Sequence, residues 1–345
     1  MNILYLGSTA PGTTSRHRAD ALRRCGHQVD ALGLAEALGP ALQGRILPRV
    51  HYHTGFRLMQ SQVLAVIEAN ADRLERSDVV WIDSGELVGP RILEQIRRLG
   101  PKVVLFNADD PTGGRDGRRF GSLVAALPFY DLCVTVRDET LAEFRQRGAR
   151  AIKTWRGVDE IIHAPRVPED HPEPRSGSEL IFVGTWIRGE NRDSVLAHLA
   201  MAGLPLRIHG DRWQRSPLWS TLKPHWKGGA LHDRPYALAL SGASACLGFL
   251  SQGNRDLHTH RSLEIPYTGG VLIAQRTSEH VAMYREGEEA LFWDDAEECA
   301  RQCRRVLADP ALGARLRTAG MARARQLGVG NETVVSTILD ALVSP

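Results

Sequence analysis

The stretch NILYLGSTAPGTTSRHRADALRRCGHQVDAL, residues 2–32, decides the fold. Asn2 to Leu6 is a short apolar run that stops at Gly7-Ser8-Thr9. Ser15 to Cys25 follows helical spacing and closes at Gly26, and Gln28 to Leu32 reads as another strand. Strand, loop, helix and strand in that order form the unit from which parallel α/β sheets are built. The alternation continues outward. Asp78–Asp83 reads as a buried strand, Gly89–Leu99 as a helix, Pro101–Asn107 and Tyr130–Val136 as strands, and Asp138–Arg147 as an amphipathic helix. Pro165 to Ser178 then interrupts it, with four prolines, several charges and no apolar cluster, the composition of a linker. Beyond it, Leu180–Gly184, Pro205–Gly210, Ala245–Leu250, Gly270–Ala274 and Ala290–Trp293 read as strands. Helical patterns follow over 296–307, 312–327 and 332–342. The expected architecture is α/β with two Rossmann-like domains, 1–165 and 179–325, joined by a linker over 166–178 and closed by a helix within 326–345.

Size and composition agree with two soluble globular domains: 345 residues, 43% hydrophobic and 24% charged. A formal charge of +3 with no clustered basic run gives no reason to expect a nucleic-acid partner. The five cysteines are scattered and contain no CxxC pair, so they read as reduced and structural. The amino terminus lacks the basic flank and long apolar core of a signal peptide, and no apolar run is long enough to span a bilayer. A cytoplasmic protein is expected.

In open α/β sheets ligands gather beyond the carboxyl ends of the strands. The first such loop, Gly7-Ser-Thr-Ala-Pro-Gly12, is neither GxGxxG nor a P-loop, and leaves Gly7 and Ser8 as candidates for a phosphate or cleft contact. The densest constellation is Asn254-Arg-Asp-Leu-His-Thr-His-Arg-Ser-Leu-Glu-Ile-Pro-Tyr-Thr-Gly-Gly270. Two His, two Arg, an Asp and a Glu fall within its first eleven residues, between apolar and glycine-rich flanks. Arg261 and Glu264 stand at i, i+3, one face of a helix. The chemistry fits a nucleoside diphosphate: a carboxylate accepts both ribose hydroxyls, and arginine or helix-start amides neutralise the diphosphate. The competing reading is a structural Arg261–Glu264 ion pair with surface histidines.

This run, followed by LIAQRTSEHVAMYREGEEALFW from Leu272, resembles the CgeB-like (spore maturation protein type) glycosyltransferases of the group-1 GT-B superfamily. Asn107-Ala-Asp-Asp-Pro-Thr112, Phe182-Val-Gly-Thr-Trp186 and His209-Gly-Asp-Arg-Trp213 resemble them too, and the likeness is looser between Gly33 and Asn70. The resemblance implies two domains facing a cleft, with the nucleotide-sugar donor on the C-terminal one and the acceptor on the N-terminal one. It also leaves room for the C-terminal helix to pack back on the N-terminal domain. The group's E-x7-E donor motif falls on Asp256 and Glu264, so the first acid is Asp here. By resemblance Glu264 holds the donor ribose, and Asp256, His258, Thr259 and Ser262 face the sugar or diphosphate. Gly184, Thr185, Trp186 and Arg188 would lie against the diphosphate, and His209, Gly210, Asp211 and Trp213 would shape the base pocket, where Trp213 serves equally as core packing. Asp109 and Asp110 are candidates to orient or deprotonate an acceptor hydroxyl, and His17 is a further cleft candidate.

No Asp-x-Asp occurs in the chain, so no metal site is expected, and no cofactor, since the nucleotide sugar is a substrate. A UDP-sugar is the default donor, and the acceptor is an unidentified small molecule, glycan or protein. Two other classes stay open. One is a non-catalytic binding or coat-assembly protein with the same fold, the other a sugar-nucleotide 2-epimerase.

Overall fold

The computed structural model describes residues 1–42, 46–165 and 179–344, so the expected linker over 166–178 lies outside the described residues. The chain forms two compact units. The first comprises Met1–Arg156, Gly253–Arg255 and the chain from Asn331 onward; the second takes the described residues of Gly157–Gln252 and Asp256–Gly330. Gly157 to Pro165, grouped with the first half in the sequence reading, therefore belongs with the second unit.

The first unit is built on a six-stranded sheet: β1 (Asn2–Leu6), β2 (Gln28–Leu32), β3 (Val79–Asp83), β4 (Lys102–Phe106), β5 (Leu132–Thr135) and β6 (Ala151–Lys153). The order is β2-β1-β3-β4-β5-β6, every pair parallel. The inner strands β1, β3, β4 and β5 are apolar at almost every position because both faces are covered. Leu4, Leu6, Val80 and Ile82 face one layer with Ile92, Leu93 and Ile96 of the Pro90–Arg98 helix. Ile3, Tyr5, Val79 and Trp81 face the other with Ala19 and Leu22 of the Thr14–Arg24 helix. Val334, Val335 and Ile338 of the last helix, Asn331–Val343, complete that second layer, so the end of the chain is part of this core.

The second unit repeats the plan with β7 (Leu180–Val183), β8 (Leu206–His209), β9 (Trp226–Gly228), β10 (Ala245–Gly248), β11 (Leu272–Gln275) and β12 (Leu291–Trp293). Its order is β12-β11-β10-β7-β8-β9, again all parallel. In each sheet the chain leaves its first strand in one direction and later resumes on the other side. These switch points fall between β1 and β3 and between β7 and β10, and a doubly wound sheet opens a crevice for ligands there.

Candidate functional site

At the β7/β10 switch point of the second unit the decisive element is the His260–Tyr267 helix. Thr259 and Ser262 form a reciprocal capping box that holds its start. The Ser262 hydroxyl accepts the Thr259 amide at 3.0 Å and donates to His280 Nε2 at 2.7 Å, while His280 Nδ1 lies 2.6 Å from the Gln275 carbonyl. Burial pushes His280 down to about 4, so the ring is neutral; it donates through Nδ1 and accepts through Nε2. Pro266 inside the helix has no N–H for the Ser262 carbonyl. The Tyr284 hydroxyl donates to that carbonyl instead, at 2.9 Å.

This fixed start aims Arg261 and Glu264. Arg261 donates through Nη1 to Glu264 Oε2 at 2.6 Å and through Nε to the Val183 carbonyl at 3.1 Å, tying the helix to the carboxyl end of β7. Its guanidinium stacks 4.4 Å over the Tyr236 ring. The Tyr236 hydroxyl donates to the same Glu264 oxygen at 2.6 Å, and His163 Nε2 lies 3.7 Å from Oε1. Burial alone would raise the Glu264 carboxyl, but Arg261, His163 and His260 outweigh it and hold it at about 2. Glu264 is thus a buried carboxylate whose Oε2 accepts from both Arg261 and Tyr236 and whose Oε1 faces His163.

Other expected donor residues divide into two groups. Thr259 and Ser262 are spent on the helix cap, and Trp213 is fully buried in the core with its indole donating to the Gly184 carbonyl at 2.9 Å. Those three act through position. His258 is buried and pairs with Glu279 at 2.5 Å, and Asp256 is buried two residues before it. Arg188 and Asp211 are exposed, on the loops after β7 and β8. The Trp186 indole donates to Asp193 at 2.8 Å, and Arg192 bonds the carbonyls of Thr185 and Leu250, both at 3.1 Å. His209 ends β8 and is lowered by burial and by Arg207 and Lys227. Gly210 touches the next loop so closely that a Cβ would lie 2.1 Å from the Gly184 carbonyl oxygen.

In the first unit the expected residues are differently employed. Asp110 is buried and gripped by Arg255 through two bonds of 2.7 Å, with Thr140 at 3.3 Å. Burial would raise its carboxyl, yet these Arg255 bonds hold it below the usual range, which makes it a poor base as it stands. Asp109 is 40% exposed and 3.7 Å from Arg119. His17 is buried within the Thr14–Arg24 helix. Gly7 and Ser8 do sit beyond β1, but the Ser8 hydroxyl donates to Glu36 at 3.0 Å, and a carboxylate there opposes a phosphate contact. Sequence reasoning missed Tyr236, His163, Arg192 and His280. Tyr236 and His163 lie far along the chain from Glu264, which they support, and carry no local motif.

Residues 192–339 match the family described as glycosyl transferase-like, which includes the whole His260–Tyr267 helix. No curated protein matches the chain. Among solved structures it is similar to sucrose-phosphate synthase from Thermosynechococcus elongatus, at 16% identity and a TM-score of 0.75 over 99% of both chains. It is also similar to Anabaena HepE in complex with UDP and glucose, at 12% identity and a TM-score of 0.70 over 100% of both. A third is a UDP-forming α,α-trehalose-phosphate synthase from Burkholderia xenovorans, at 12% identity and a TM-score of 0.65 over 100% of both. The fold is GT-B. With the family match over 192–339, it supports a glycosyltransferase.

Proposed function

We propose that the chain transfers a sugar from a UDP-sugar to an acceptor hydroxyl, with the donor held by the second unit. The observation that carries this reading is the buried Glu264 carboxylate, oriented by Arg261 and Tyr236 at the β7/β10 switch point within the matched family region. Its Oε1 suits the ribose hydroxyls, in charge-assisted bonds worth roughly 1.5–3 kcal/mol each. The helix start at His260 supplies outward amides and the positive end of its dipole to a diphosphate, and Arg188 offers a guanidinium from the loop after β7. With that charge supplied by the chain, we propose that transfer needs no divalent metal. UDP as the base is supported by neighbours of the same fold whose structures hold UDP-glucose and UDP-2-fluoro glucose. Within GT-B enzymes the quoted motifs favour the CgeB-like group. Five free cysteines accord with a reducing, cytoplasmic setting, and no helix among the described residues is long and apolar enough to cross a membrane.

A thermal-shift series with UDP, GDP, CDP, dTDP and ADP, each with magnesium and with EDTA, tests the reading. A nucleotide at about a hundredfold over its Kd adds roughly 2.7 kcal/mol. UDP should raise the melting temperature most, and equally in EDTA. A larger shift with another base removes UDP, and a shift that needs magnesium removes metal-free binding.

A further inference from the structure

The switch point of the first sheet, between β1 and β3, holds a cavity of about 160 Å³. A cavity of about 150 Å³ is known to take a benzene-sized ring, so the space here admits one six-membered ring. Leu34, Ile82 and Leu87 supply an apolar wall; Ser8, Glu36 and Glu86 supply a polar one. The polar wall is formed by backbone in sparsely populated geometry. Ser84 has φ +70° and Gly85 φ +77°, two consecutive left-handed residues that bring Glu86 round to the cavity. The turn is held by the Ser84 amide on the Phe106 carbonyl at 2.8 Å and by Asn107 Nδ2 on the Ser84 carbonyl at 2.6 Å. A non-glycine residue held in this region is strained, and such strain gathers at ligand clamps.

The hydrogen-bonding character of the wall selects the ligand. Asp83 faces the cavity but is occupied from behind by Arg18, at 2.8 and 3.1 Å, and by Tyr5 at 2.6 Å. Glu86 is paired with Arg119 at 2.5 Å. Glu36 takes part in no ion pair among the described residues and accepts the one hydroxyl proton of Ser8. Apart from the Ser84 hydroxyl, the lining side chains therefore present acceptors, and a ligand must bring donors. Hydroxyl groups do so, and the carbon face of a pyranose suits Leu34 and Ile82. A phosphate brings only acceptors and a like charge.

We propose that this cavity is the acceptor subsite and takes an uncharged, hydroxyl-bearing ring, such as an unphosphorylated sugar, while rejecting sugar phosphates. The proposal rests on the transferase reading above, which requires an acceptor.

The test is saturation-transfer NMR on the full chain with UDP present, using glucose, galactose, mannose and N-acetylglucosamine and their 6-phosphates. At least one neutral sugar should bind, and its 6-phosphate at least tenfold more weakly. Glu36→Lys should shrink that gap at least threefold. Ala35→Trp, at an exposed position on the rim, should abolish sugar binding with an unchanged melting curve. Tighter binding of the phosphates, no binding of any neutral sugar, or binding indifferent to Ala35→Trp overturns the proposal. UDP affinity measured in the same samples separates the two ideas: a wild type that binds UDP but no neutral sugar sinks the subsite alone, and a wild type that binds no UDP sinks the donor site.

Discussion

At the scale of single residues the account turns on Glu264, whose one oxygen is shared by Arg261 and Tyr236, both at 2.6 Å. Its folded-state carboxyl lies near 2 against an ordinary value of 4.5. A depressed carboxyl contributes stability that is complete above about pH 4.5 and is lost as pH falls toward 2. Glu264→Gln breaks a buried ion pair, and should destabilise by about 3 kcal/mol at pH 7. Melting curves of wild type and variant should approach one another as pH falls from about 4.5 to about 2; a constant gap across that range would show that Glu264 is not the titrating group. Tyr236→Phe should cost about 1–3 kcal/mol by leaving the carboxylate one donor short. Of this cluster the sequence disclosed only Arg261 and Glu264, because three-residue spacing on a helix is a local signal. Tyr236 and His163 are brought in by the sheet's winding, and no spacing rule reaches that far. The same reason hid the Arg255 grip on Asp110, which turns an expected base into half of an ion pair.

At the scale of elements, apolar runs were legible, even the three-residue β12, and short runs of mixed polarity were not. β1 runs as the sequence reading drew it, because a buried strand reads as a continuous apolar segment before a glycine-bearing turn; β2 has the bounds drawn for it although none of its residues is fully buried. β6 and β9 have three residues each, too few to display a period. The helices between Leu34 and Glu75 are short and weakly patterned, and that is where the sequence likeness was also loosest. Two predictions belong here. The start of the His260–Tyr267 helix depends on Ser262 and on neutral His280, so Ser262→Ala should cost about 1 kcal/mol and weaken UDP binding without touching nucleotide. Unchanged UDP affinity in a calorimetric titration would separate the cap from the site. Gly210 adopts φ +134° and its Cβ would lie 2.1 Å from the Gly184 oxygen. Gly210→Ala should therefore lower stability by about 1–3 kcal/mol or more and displace the β7 loop, and a wild-type denaturation midpoint would contradict that contact.

At the scale of the whole molecule, the chain's last helix is an integral part of the first unit. Val334, Val335, Ile338, Leu339 and Leu342 are all buried in the layer formed with the Thr14–Arg24 helix. Each such side chain contributes roughly 1.5–3 kcal/mol on burial, a sum comparable with the whole net stability of a domain. Deleting the chain from Asn331 should leave the first unit unable to fold, seen as loss of its cooperative unfolding transition; an unaltered transition would mean the helix is dispensable. The sequence reading foresaw two α/β domains, and missed that Gly157 to Pro165 joins the second. That segment belongs there because Arg234 bonds the carbonyls of Ala164 and Pro165, at 2.5 and 3.3 Å, contacts that composition does not reveal. The central claim is that this second unit holds a nucleotide-sugar through Glu264 and needs no metal to do so. Isothermal titration of UDP into wild type and Glu264→Gln, both in EDTA, tests it most directly. The account predicts saturable wild-type binding and roughly hundredfold weaker binding to the folded variant, the equivalent of about 2.7 kcal/mol. Equal affinity in the two proteins, or wild-type binding that appears only with magnesium, would contradict it.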